Sequence, residues 1–212
     1  MTGGISLDDF ERDALTELVN IGVSRAAASL RKMVGQQVLL SVPAVEIVTN
    51  RAAAALIGQR ESEDLVAIRQ DFEGAFSGRA LLIFPETKSM ELVRAVAGDE
   101  VPAEDLPELE PEALAETGNV ILNNCLGTMA NMLQQSLRMS LPVVVRGSGE
   151  TLFKDAETLQ GDPGLVLFLY INFSVRDRDI RGYIAMLMDL PSLATLKLLI
   201  AEFISRVTAD TI

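Results

Sequence analysis

Two stretches of the chain carry apolar residues at helical spacing. In the first, Ala14, Leu15, Leu18, Ile21 and Gly22 share one side of a helix turning ~100° per residue, and Asp13, Glu17, Asn20 and Ser24 form a narrow polar file on the other. In the second, Ala113, Leu114, Thr117, Val120 and Ile121 oppose a file of Glu112, Glu116, Asn119 and Asn123. Each stretch predicts a long helix of roughly 25 residues. One begins after Asp8 or Asp9 and ends near Met33; the other begins after residues 108–110, with Pro111 in its first turn, and ends near Leu137.

The pattern changes downstream of both helices. Extended segments surround a proline at 38–48 and 141–145, followed by short polar or Ala-rich pieces at 51–57 and 151–157. Runs rich in β-branched and aromatic residues then come in pairs, 65–72 with 75–84 and 165–175 with 180–190, which predicts two hairpins. Closing helices at 86–96 and 192–207 follow Pro85 and Pro191, and an acidic linker occupies 98–107.

The two series are in register. Ala14, Leu15, Glu17 and Asn20 match Ala113, Leu114, Glu116 and Asn119 at an offset of 99 residues, and without a gap Ser41 and Pro43 match Ser140 and Pro142. We read this as an internal duplication, with repeats of about 8–98 and 108–207 inside a single domain spanning 1–212. The expected fold is mixed α/β of the α+β type. Two helix–strand–hairpin–helix units related by a pseudo-two-fold axis share a mostly antiparallel sheet, and the long helices carry the sites. One unit alone leaves a sheet edge open, which its twin covers. Because one chain supplies both units, a monomer is expected.

Composition narrows the chemistry. There is no His, which removes the usual general base, the usual zinc ligand and every triad that needs imidazole; no metal site is expected. The single cysteine, Cys125, precludes an intramolecular disulfide, suits a reducing cytosol and is read as an inert core thiol. A net charge of −12 repels nucleic acid and anionic lipid, so neither is an expected partner. The N-terminal residues have no cationic start or apolar run, and the most apolar segments fall well short of the ~20 residues a membrane helix needs. A cytoplasmic location is the expectation. Asn124 reads as a structural amide, Met129, Met132, Met186 and Met188 as core, and residues 74–78 as a turn between strands.

Asn is a poor helix former, yet it stands three residues after a Glu on both polar files. An acidic residue, then Glu, then Asn, then Pro recurs as Asp13, Glu17, Asn20, Pro43 and as Glu112, Glu116, Asn119, Pro142. This paired pattern resembles the signature of the CheC/CheX/FliY family of response-regulator phosphatases, with the two copies per chain of the CheC arrangement. FliY-type proteins append a flagellar-switch domain, for which this length leaves no room. Two departures stand out: Glu112 replaces the family's Asp or Ser, and Val19 precedes Asn20 where Gly118 precedes Asn119.

The resemblance implies hydrolysis of an aspartyl phosphate on a CheY-like receiver. It makes Glu17, Asn20, Glu116 and Asn119 the catalytic residues, with Asp13, Ser24, Glu112 and Asn123 in the partner contact. The protein then needs no cofactor of its own, since the phosphorylated receiver brings Mg²⁺ and a Lys. A carboxamide can position the attacking water, and each Glu can pair with a cation on the receiver. The alternatives are a binding module that sequesters a receiver or docks a CheD-like deamidase, and a flagellar-switch scaffold. On this reading both asparagine amides face solvent. Val19 flanks the first site and Gly118 keeps the second one low, so the second site is expected to be the more active.

Overall fold

The computed structural model describes residues 5–35, 37–61, 64–98, 100–154, 165–175 and 178–209. Helix α1 (Asp9–Val34) starts where its capping chemistry dictates. The Asp8 side chain accepts from the Glu11 N–H at 2.8 Å while Glu11 Oε2 accepts from the Asp8 N–H, and Gly35 ends the helix in a left-handed conformation. Strand β1 (Val38–Thr49), helix α2 (Asn50–Arg60), the hairpin β2 (Leu65–Gly74) and β3 (Gly78–Pro85), and helix α3 (Glu86–Ala97) complete the first half. The second half runs α4 (Leu106–Met132), β4 (Leu137–Met139), β5 (Val143–Gly147), α5 (Gly149–Lys154), β6 (Leu165–Val175), β7 (Arg178–Met188) and α6 (Leu190–Ala209).

The seven strands form one antiparallel sheet in the order β1-β6-β7-β3-β2-β4, with β5 also on β2. Each half thus sends its first strand to the hairpin of the other, and the halves meet at β3–β7. The mixed α/β class and antiparallel pairing are as expected from the sequence. Helices α1, α3, α4 and α6 share the large core on one face, while α2 and α5 cover a smaller core on the opposite face.

Four local expectations need correction. Helix α4 starts at Leu106, so Pro111 lies inside it rather than in its first turn. It also ends at Met132, short of Leu137, because the chain turns at Gln134 with a φ of 57°. The extended segment expected at 141–145 is two short strands, broken over residues 140–142. The first hairpin's second strand begins at Gly78 rather than Ala75, and the expected helical piece at 151–157 lies outside the described residues from 155 onwards.

Helices α1 and α4 pack closely. A Cβ built on Gly22 would lie 2.8 Å from the Cys125 Cα, so only glycine allows this approach. Helix α4 rests just as tightly on β2, where a Cβ on Gly118 would meet Ile68 Cγ2 at 2.3 Å. Ser89 and Arg146 hold the start of α4 through Glu110, with Ser89 Oγ donating at 2.8 Å and Arg146 Nη2 at 2.8 Å.

Candidate functional site

On α1, Asp13, Glu17 and Ser24 are exposed as expected, and Glu17, Asn20, Ile21, Ser24 and Arg25 line one shallow surface depression. Asn20 itself is only half-exposed, which corrects its expected free amide. Its Nδ2 donates to the Val42 carbonyl at 3.1 Å and its Oδ1 accepts from the Val42 N–H at 2.9 Å. The cause lies in β1, whose register with β6 shifts between Ser41 and Ala44. Val42 therefore has no partner on β6, Pro43 has no N–H to give, and a buried backbone amide must be satisfied from elsewhere. Asn20 supplies both bonds.

On α4, Glu112 and Glu116 are exposed, whereas Asn119 and Asn123 are half-buried. Asn123 was expected to face the partner; instead its Nδ2 donates to Asn119 Oδ1 at 2.6 Å. Gln70, on β2, donates from Nε2 both to Asn119 Oδ1 at 3.2 Å and to the Ser140 carbonyl at 2.9 Å. Ser140 also exchanges bonds with β2, its N–H donating to the Asp71 carbonyl at 2.8 Å and its Oγ accepting from the Asp71 N–H at 2.9 Å. Here the break in the strand is satisfied by β2, so Asn119 is not drawn into backbone bonding. Its Nδ2 has no hydrogen-bond partner among the described residues. The residue 99 positions after Val42 is Leu141; Val42 is 2% exposed and Leu141 is 85% exposed.

Contrary to expectation, Val19 and Gly118 do not border the exposed polar files. Val19 is fully buried, and Gly118 faces Ile68 of the sheet. The core stripe of α1 is wider than its periodicity suggests because the helix is buried against both the sheet and α4. The reason first given for ranking the two sites therefore falls.

Sequence reading missed Gln70. The available signal was alternation: the helix-facing residues of β2 run Val66, Ile68, Gln70, Phe72, a single polar residue in an apolar series. Asn124 donates to the Val120 carbonyl at 2.8 Å, and Cys125 is fully buried, its thiol pushed up to about 12 by desolvation. On the opposite sheet face, burial and then the Glu61 carboxylate raise the Tyr183 phenol. Among the described residues no helix is long and apolar enough to cross a membrane.

Two family models match the chain: chemotaxis phosphatase CheX over residues 66–161, and the CheC-like family over residues 10–47. Among curated proteins, the flagellar motor switch phosphatase FliY of Bacillus subtilis is 25% identical over 140 residues, covering 65% of this chain and 36% of that protein. The CheY-P phosphatase CheC of the same organism is 24% identical over 137 residues, covering 63% of this chain and 65% of that protein. The matches thus span about a third of one relative and just under two thirds of the other. Among solved structures, Thermotoga maritima FliY superposes with a TM-score of 0.71 at 16% identity, covering 94% of this chain and 100% of that one. That likeness shows the fold. Sequence and fold together establish the resemblance to the CheC/CheX/FliY family.

Proposed function

We propose that the protein hydrolyses the aspartyl phosphate of a CheY-like receiver domain, with α4 presenting the principal site. The observation that carries this reading is Asn119: an anchored carboxamide with its nitrogen unengaged, one helical turn after the exposed Glu116. Phosphoryl transfer asks a protein mainly for position and charge, not covalent chemistry. An amide N–H can hold the attacking water or a phosphoryl oxygen without adding negative charge near phosphorus. Glu116 can pair with a cation of the receiver and set its register on α4. The receiver contributes Mg²⁺ and a Lys on this reading, so this chain needs neither metal ligand nor imidazole.

Phosphate release from a panel of phosphorylated receivers tests the proposal. The wild-type protein accelerates release from at least one, and the Asn20→Ala/Asn119→Ala double variant abolishes the stimulation. Stimulation surviving in the folded double variant refutes the role of the amides. Binding of phosphorylated receiver without release assigns the protein to sequestration instead.

A further inference from the structure

The Asn119 carboxamide has a supporting residue that the helical motif does not contain. Gln70 is 1% exposed, in the middle of β2, on the face that meets α4. The corresponding face of β6 is apolar throughout, with Leu167, Leu169, Ile171 and Phe173 buried in the same core. A glutamine in such a place is costly unless all its polar atoms are paired. They are not: Gln70 Oε1 is buried and has no hydrogen-bond partner among the described residues. The fold thus retains a polar side chain that it satisfies only in part.

The paired part is the amide nitrogen. One N–H of Gln70 binds the Ser140 carbonyl, which fixes the side chain, and the other binds Asn119 Oδ1. With Asn123 Nδ2 donating to the same oxygen, both lone pairs of the Asn119 carbonyl are occupied. Turning the Asn119 amide over would set its NH₂ against the Gln70 N–H, which the Ser140 carbonyl holds in place, so Gln70 locks this orientation. We propose that Gln70 is a positioning residue for Asn119, holding its carbonyl inward so that both Nδ2 protons face the docked phosphoryl group. The proposal rests on the phosphatase reading above for its catalytic consequence, but not for its structural one. It makes the second site donor-only, presenting N–H and no carbonyl to the water or the phosphoryl oxygens.

The test replaces Gln70 with the residue type found on β6, as Gln70→Leu, in the Asn20→Ala background so that only the second site reports. Gln70→Met, which keeps the length and loses the donors, serves if the Leu variant does not fold. Expected are a fall in the rate at saturating phosphorylated receiver of about 10- to 100-fold, an unchanged KM, and a thermal midpoint equal to or above that of the parent. A merely structural glutamine would instead lower the midpoint and leave the rate of the folded fraction intact, which overturns the proposal. The second readout needs no activity. In the ¹⁵N spectrum of the otherwise wild-type Gln70→Leu protein, the Asn119 side-chain NH₂ loses order while that of Asn20 does not. An unchanged Asn119 NH₂ in the folded variant overturns the proposal even if the rate falls. If the parent releases no phosphate from any receiver, the phosphatase reading fails, and the NH₂ measurement still decides whether Gln70 positions Asn119.

Discussion

Asn20 and Asn119 each follow a glutamate by three residues on a long helix, yet their carboxamides are put to opposite uses. Asn20 serves the fold, spending both polar atoms on the Val42 backbone. Asn119 is served by the fold, its oxygen held by Gln70 and Asn123 and its nitrogen left over. The difference arises in the strands beneath. Where β1 continues through its register shift, an orphaned peptide needs the asparagine; where the second half breaks between β4 and β5, β2 satisfies the break instead. A motif of identical residue types therefore specifies a place for an amide, while the adjacent backbone specifies which of its atoms remain for a ligand.

The largest effect should come from separating the two amides in activity. Asn119→Ala should lower stimulated phosphate release by about 10²-fold, as loss of a positioned donor does, whereas Asn20→Ala should cost only a few-fold by loosening the first site. Single-variant rates in the reverse order would break the comparison. In urea unfolding the ranking should invert. Asn20→Ala leaves the N–H and C=O of the buried Val42 unpaired and should cost about 1–3 kcal/mol; Asn119→Ala removes bonds between side chains and should cost about 0.5–1.5 kcal/mol. Equal costs would mean that the two amides are built into the fold alike.

A third effect concerns the crossing that the halves share. Burial holds the Cys125 thiol protonated up to about 12, whereas the unfolded chain ionises it near the ordinary value of 9.0. Between those values the folded state binds the extra proton, so stability falls as pH rises, by about 1.4 kcal/mol per pH unit for one such group. Tyr183 is shifted in the same direction. Cys125→Ala isolates the thiol: between pH 9 and 11 its stability should fall less steeply than that of the parent. Parallel curves would show that Cys125 ionises freely in the folded protein.

Much of this was legible from periodicity. Leu15, Leu18 and Gly22 are buried on α1, and Glu17, Ser24, Glu112 and Glu116 are exposed, as the 3.6-residue repeat requires. The hairpins were legible because alternation and turn residues are local. Val19 was misread because a helical wheel shows one buried stripe and cannot show that α1 is covered from two directions. The end of α4 was misread because Gln134, not glycine, takes the left-handed turn. The use of each asparagine was not legible at all, since it depends on β1 for Asn20 and on β2 for Asn119, partners 22 and 49 residues away.

The exchange of first strands between the halves sets an order of events during synthesis. β1 is complete at Thr49, but its neighbour β6 begins only at Leu165; β3 waits for β7, and the outer edge of β2 waits for β4 and β5. At ribosomal rates of about 5–20 residues per second, the emerging first half carries three bare strand edges for on the order of ten seconds. Such edges invite pairing with other chains. Its sheet is one that closes late, and the chain's exposure to aggregation is concentrated in that interval, before the second half has supplied the partners of these edges.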